Sequence, residues 1–268
     1  MGTRNAPSAV HEIVTRAPMD AVAIAMVHGV SQDHRLFDQQ IAAFERSYRL
    51  ILIDLPGHGR SSAIPGPYGI QEYASSIDGA LRDAGVDEFH FWGTHLGASA
   101  GLLLACQRPD LFRSLILEAP VFPGRPLPSV SDLLGQISAI ARDQGIAAAR
   151  DIWWREGGWF EVMRRRPTEC RAAEQRRMID DFGGQPWLDA GLISRPVGNI
   201  EDRLAVLETP SLIISGEHDL PDFLNIAQDL EAIMPNADRV IIPEAGGFPL
   251  WEFPDRVNQV AMDFLGRH

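Results

Sequence analysis

Any chemistry in this chain has to begin at His95. The residue stands in Phe91-Trp92-Gly93-Thr94-His95-Leu96-Gly97, after an apolar stretch and before a small-residue segment, Ala98 to Gln107, that reads as a helix. Glycines two residues to either side of one raised side chain are the spacing of a nucleophile elbow, Gly-x-Ser-x-Gly, a tight turn from strand to helix. Small residues are needed there because the strand and helix backbones pass close to the raised residue. That residue takes a positive φ, where His, Asn and Asp are enriched among non-glycines. Here the raised group is an imidazole, which offers proton transfer near neutral pH and a nucleophilic nitrogen. It presents no hydroxyl.

The elements around it must form a sheet that holds the turn. Ala21 to Val27 and Leu50 to Leu55 are continuous apolar runs of the kind buried on both faces of a parallel sheet. Phe89 to Trp92, Ser114 to Glu118, Ser211 to Ser215 and Arg239 to Ile242 are further strands, and residues 10–15 are a first edge strand. Helical spacing marks residues 33–46, Ile70 to Ala84, Asp222 to Met234 and Pro254 to Leu265. Strands alternating with helices predict an α/β fold, a mostly parallel doubly wound sheet covered on both faces. The rhythm stops between residues 121 and about 200, where helical patterns and aromatics replace strands. This gives core residues 1–120, a helical insertion at 121–200 and core residues 201–268.

Composition narrows the function. The 268 residues fit one domain of about 200–250 residues plus an insertion. A formal net charge of −12 argues against nucleic acid as a partner. No apolar run approaches the roughly 18–20 residues that span a bilayer, so no membrane partner is expected. The opening residues, Met1 to Pro7, lack the apolar core of a signal peptide, and cytoplasmic is the expectation. Cys106 and Cys170 read as small buried hydrophobes, not as a disulfide or metal pair. All 24 basic residues are arginine, which excludes lysine Schiff-base chemistry.

Five motifs in order, each at the end of a predicted strand, carry a family resemblance over nearly the whole chain. They are His28-Gly29, Asp54-Leu55-Pro56-Gly57-His58-Gly59-Arg60-Ser61, the pentad at 93–97, Ser215-Gly216-Glu217-His218-Asp219 and Pro243-Glu244-Ala245-Gly246-Gly247-Phe248-Pro249. The chain resembles the α/β-hydrolase superfamily, in particular the small capped enzymes that include enol-lactonases and carbon–carbon-bond hydrolases. In that family a serine, an acid and a histidine follow in chain order. The resemblance places the acid at Asp219, the histidine at Gly247 and the serine at His95, so two of three triad members are replaced. Ser99 lies one helical turn beyond the elbow and points along the helix.

The resemblance also implies an oxyanion hole from the backbone N–H groups of Val30 and Leu96. Glycine at 247 is expected to leave a vacancy into which the His95 ring extends, meeting the Asp219 carboxylate directly or through a water. Asp219 would then fix the tautomer of His95 and raise its basicity. The insertion matches the family's helical cap, which closes over the strand ends. Trp153, Trp154 and Trp159 are expected to wall an apolar pocket, with Phe248 and Trp251 lining it from below and His34 reaching substrate from the loop above the sheet. Arg125, Arg155 and Arg195 are candidates to meet a substrate carboxylate. His28 and His58 read as local turn residues, and Glu118 and Glu217 as caps or solvated ends. His95, Asp219 and His218 form no metal set, because adjacent residues on a strand end point oppositely. The leading expectation is a cofactor-free acid/base enzyme, an isomerase, lyase or cyclase, acting on a small, largely apolar carbonyl compound. A hydrolase in which His95 activates water and a non-catalytic small-molecule binder are the alternatives.

Overall fold

The computed structural model describes residues 8–18, 20–125, 127–189, 197–198 and 200–268. The opening residues 1–7 and Arg195 lie outside the described residues.

Seven strands form one sheet: β1 (Val10–Val14), β2 (Ala23–Val27), β3 (Arg49–Asp54), β4 (Phe89–Thr94), β5 (Phe112–Glu118), β6 (Ser211–Gly216) and β7 (Ala237–Ile242). Their order is β1-β3-β2-β4-β5-β6-β7. β1 runs antiparallel to β3, and every other pair is parallel. Every residue of β2, β4 and β6 is buried, the mark of strands covered on both faces. The outer strands are the wet ones: Val10 and Ile13 on β1 and Ile241 on β7 are exposed.

The registers align the strand ends that carry the motifs. Val27 of β2 pairs with Gly93 of β4, and Thr94 pairs with Glu118 of β5. Glu118 in turn pairs with Ile214 of β6. The loops after β2, β4, β5 and β6 therefore leave the sheet side by side, which is where open α/β sheets hold ligands.

Helices α1 (Asp38–Phe44), α2 (Ile70–Asp83) and α3 (Leu96–Gln107) connect the first half of the sheet. The single helix expected over 33–46 is instead a 3₁₀ turn, His34–Phe37, running into α1. Between β5 and β6 lie α4 (Pro128–Asp143), α5 (Ile146–Glu156), a 3₁₀ turn at Gly158–Phe160, α6 (Glu161–Arg165), α7 (Ala172–Asp181), α8 (Gln185–Leu188) and α9 (Glu201–Leu204). No strand interrupts them among the described residues. α10 (Pro221–Ile233), α11 (Pro249–Glu252) and α12 (Pro254–Leu265) complete the chain. Among the described residues no helix is long and apolar enough to cross a membrane.

Candidate active site

The elbow forms as its spacing requires. His95 has φ 46° and ψ −111°, and its N–H donates to the Glu118 carbonyl at 2.9 Å. Its own carbonyl accepts from the Ser99 N–H at 3.0 Å, which starts α3. A Cβ at Gly97 would stand 2.4 Å from the Val27 carbonyl oxygen, and one at Gly93 would stand 2.6 Å from the Ala98 nitrogen. Any side chain at either position would force α3 off the sheet.

The raised imidazole is enclosed by aromatic rings. Phe248 lies 4.6 Å from it, centroid to centroid, and Phe223 meets it edge-on at 5.2 Å. Neither ring nitrogen of His95 has a hydrogen-bond partner. Burial lowers its pKa to about 3, so the ring is neutral at any ordinary pH.

Asp219 arrives from the loop after β6, at the head of the helix that carries Phe223. Its Oδ1 accepts from the Leu220 N–H at 2.8 Å, and its Oδ2 is buried without a partner. Burial raises this carboxyl to about 7, half-ionised at neutral pH. The direct His95–Asp219 hydrogen bond anticipated from the sequence is not formed, since both ring nitrogens are free.

The expected vacancy at Gly247 is absent too. A Cβ on Gly247 would stand 2.5 Å from the Trp159 Cβ and 2.9 Å from its Cα. The turn after α5 occupies the space that an imidazole would fill. Glycine at 247 serves the approach of the helical insertion, not the reach of His95.

The remaining candidates divide. Trp153 and Trp159 are buried 4.7 Å apart, and the Trp153 indole N–H donates to Ser31 Oγ at 2.8 Å, tying α5 to the loop after β2. Phe248 stacks on Phe160 at 5.3 Å as well as facing His95. Trp154 is half-buried against Phe160. Trp251 is buried; its indole N–H donates to the Cys170 carbonyl at 2.7 Å and the Arg171 guanidinium lies over its face. It fastens α11 to the insertion. Val30 sits in the turn after β2, and Leu96 is the first residue of α3, where backbone donors lack partners inside the helix.

His34 is held against Asp54 at the end of β3. Its Nδ1 lies 2.9 Å from Asp54 Oδ2, and its backbone N–H donates to Asp54 Oδ1 at 2.7 Å. It lines a cavity of about 250 Å³ with Gln32, Arg35, Arg60, Met178 and Phe182. The Asp54 bond raises the pKa of His34. Burial pushes the Asp54 carboxyl up, but the His34 bond and the Arg60 N–H outweigh it and leave it at about 2. Asp33, His34 and Asp54 could converge on a metal, but the Arg35 guanidinium already holds Asp33, and His34 and the Arg60 N–H hold Asp54.

Burial corrects one further reading. Glu118 is no solvated end: it is fully buried, with Oε1 accepting from the Leu250 N–H at 3.3 Å and Oε2 unpaired. Glu252 joins it, its Oε2 accepting from the Gly246 N–H at 2.5 Å and its Oε1 free. Burial raises Glu252 to about 8 and Glu118 well above the carboxylate range. His28 and His58 are turn residues, as expected: His28 Nε2 accepts from the Leu55 N–H at 3.0 Å, and His58 Nδ1 bonds the Pro56 carbonyl at 3.1 Å. Arg125 is paired with Asp229 and Glu201, and Arg155 with Glu156.

Sequence reasoning missed Gln32, Phe223 and Glu252. Gln32 lies beside His34 in the loop Ser31-Gln32-Asp33-His34-Arg35, but nothing in its type announced a buried, unpartnered amide. Glu252 follows Trp251 just before Pro254, and reads in sequence as an ordinary acid at the start of a helix.

Known proteins share this fold. A sequence model described as alpha/beta hydrolase fold matches residues 22–254. A protein of Pseudomonas savastanoi pv. phaseolicola named "Putative carbamate hydrolase RutD" is 26% identical over 245 residues, covering 88% of this chain and 90% of its own. A Pseudomonas sp. protein named 2-hydroxy-6-oxononadienedioate/2-hydroxy-6-oxononatrienedioate hydrolase is 24% identical over 253 residues, 89% of this chain and 83% of its own. The solved enol-lactonase of Burkholderia xenovorans LB400 superposes with a TM-score of 0.81 at 22% identity, covering 96% of both chains, a likeness of fold. With most of its length matched by the family model and the elbow in place, the chain belongs to the α/β-hydrolase fold family.

Proposed function

We propose that this chain is an enzyme that hydrolyses a small, largely apolar carbonyl compound at the elbow without a serine nucleophile. The observation that carries the reading is a pair of unpaired buried groups: the free Asp219 Oδ2 and the two free nitrogens of His95. Buried polar groups in native proteins nearly always find partners, and exceptions call for a ligand or a catalytic role. The substrate carbonyl oxygen is held by the N–H groups of Leu96 and Val30. Water, hydrogen-bonded to the neutral His95 ring, attacks the carbonyl carbon while its proton passes to Asp219 Oδ2. The tetrahedral oxyanion then collapses, the bond to the leaving group breaks, and Asp219 returns the proton to that group. With its pKa near 7 Asp219 is well matched to this exchange, whereas His95, near 3, positions and polarises without being protonated.

Residues 121–200 are the cap of this site, set on core segments 1–120 and 201–268, and Trp153 and Trp159 are its apolar wall. Proton transfer without water, as an isomerase, lyase or cyclase performs it, would use the same groups. Hydrolysis is preferred because the similar proteins are named hydrolases. The test is turnover of activated esters and amides by the wild type, His95→Ala and Asp219→Asn. Hydrolysis lost by at least a hundredfold in Asp219→Asn supports the reading, and equal rates in all three sink it.

One observation favours a second reading, a binder without turnover. Trp159 packs against Gly247, and Phe223 and Phe248 pack around the His95 ring. Thermal stabilisation by carbonyl compounds with no product formed would establish it.

A further inference from the structure

Gln32 is 2% exposed, yet neither Nε2 nor Oε1 of its carboxamide has a partner. A buried polar group left unsatisfied carries its desolvation penalty with nothing to offset it. The amide is beside the elbow. A Cβ built on Gly29 would stand 3.2 Å from Gln32 Oε1 and 3.2 Å from His95 Cβ, so the carboxamide and the imidazole flank one glycine. Gln32 is also two residues past Val30, whose N–H is the proposed partner of the substrate oxygen.

The charges nearby narrow what such a group would meet. Glu118, Asp219 and Glu252 act on one another, and no cation acts on Glu118 or Asp219 among the described residues. Arg166 is felt by Glu252. His95 is neutral. Arg35 and Arg60, which line the neighbouring cleft with Gln32, are already paired with Asp33, Asp181 and Glu12, so they offer an anion no unpaired counter-charge.

We propose that Gln32 orients the substrate, and that the substrate is a neutral carbonyl compound with an N–H beside its carbonyl, an amide-type compound. The carboxamide offers one acceptor and a pair of donors. A ketone or ester satisfies Nε2 but leaves Oε1 without a donor. A carboxylate does the same and brings an uncompensated charge. An amide-type group satisfies both ends, its N–H donating to Oε1 and its carbonyl accepting from Nε2. Sites built to bond an N–H reject analogues that lack it more strongly than apolar pockets reject shape changes. The proposal takes its location from the hydrolase reading, but its binding claim stands without turnover.

The experiment compares benzamide, methyl benzoate and benzoate, three probes of similar size, for binding by calorimetry and for hydrolysis, in the wild type, Gln32→Leu and Gln32→Glu. The wild type is expected to bind benzamide at least tenfold more tightly than either other probe, and Gln32→Leu to erase that preference. Ligand-free Gln32→Leu is expected to melt at or above the wild-type temperature, since an unmet amide has been removed. Should it fail to fold, the near-isosteric Gln32→Glu replaces the Nε2 donors with an acceptor, and is expected to lose the benzamide preference. Equal binding of the three probes by the wild type, or a preference that survives both substitutions, overturns the proposal. Gln32-dependent benzamide binding without hydrolysis would sink the hydrolase reading alone, and ester turnover without an amide preference would sink this one alone.

Discussion

Desolvation sets how His95 and Asp219 would divide the proposed chemistry, and the pH profile tests it. In solution an imidazole titrates near 6.5 and a carboxyl near 4. In the site the order reverses, with His95 near 3 and Asp219 near 7. Turnover that depends on Asp219 as base is therefore expected to rise with pH through an inflection near 7 and to show none near 3 within the stable range. Asp219→Asn should abolish the rise together with the activity, while His95→Gln, which keeps a hydrogen-bonding side chain, should lower the rate and leave the inflection in place. An inflection that moves with His95 instead would make the imidazole the base. The elbow was legible from the two glycines and the apolar approach to it, because a tight turn restricts residue types locally. The state of Asp219 was not legible, because desolvation depends on what covers the residue, and that cover comes from segments far away in the chain.

At the scale of elements, the strands and most helices of the core were legible because buried parallel strands leave apolar runs and their helices leave periodic ones. Ser211–Gly216 and Pro254–Leu265 fall within a residue of the sequence reading. What sequence could not supply was how the inserted helices sit on the core. Gly247 illustrates it: a missing side chain read as empty space is the contact point for the turn after α5. Gly247→Ala is accordingly expected to overpack this contact and cost about 1–3 kcal/mol, read as a lower urea midpoint and a changed tryptophan emission. An unchanged midpoint would mean that the turn moves away freely. Trp251→Phe probes the second fastening, since it leaves the buried Cys170 carbonyl without its indole donor. The expected loss is about 1–3 kcal/mol, a fall in melting temperature of several degrees for a chain of this size. A midpoint within experimental error of wild type would show that α11 is held by packing alone.

For the whole molecule, buried titratable groups predict a stability maximum on the acid side of neutrality. Two sets oppose each other. His95 and His58 are lowered to about 3, His90 to about 4, and His28 is lowered as well, all by burial. Their stabilising effect is complete above the unfolded value near 6.5 and is lost as pH falls toward the folded values. Asp219, near 7, and Glu252, near 8, are raised, as is Glu118. Their effect is complete below the unfolded values near 4 and is lost as pH rises through 7 and 8. Below about pH 6 the lowered histidines dominate; above about 6.5 they are spent, and the carboxyls, joined by the raised His34, set the slope. The net charge of −12 at pH 7 adds self-repulsion in the same direction. Unfolding free energy is therefore expected to peak near pH 6 and to fall by on the order of a few kcal/mol by pH 8.5, measured as urea midpoints across that range. Glu252→Gln keeps an oxygen for the Gly246 N–H and removes the ionisation, so it should flatten the alkaline limb. An alkaline limb as flat in the wild type as in Glu252→Gln would mean that these carboxyls reach water, and the enclosure argued for the elbow would fall with them.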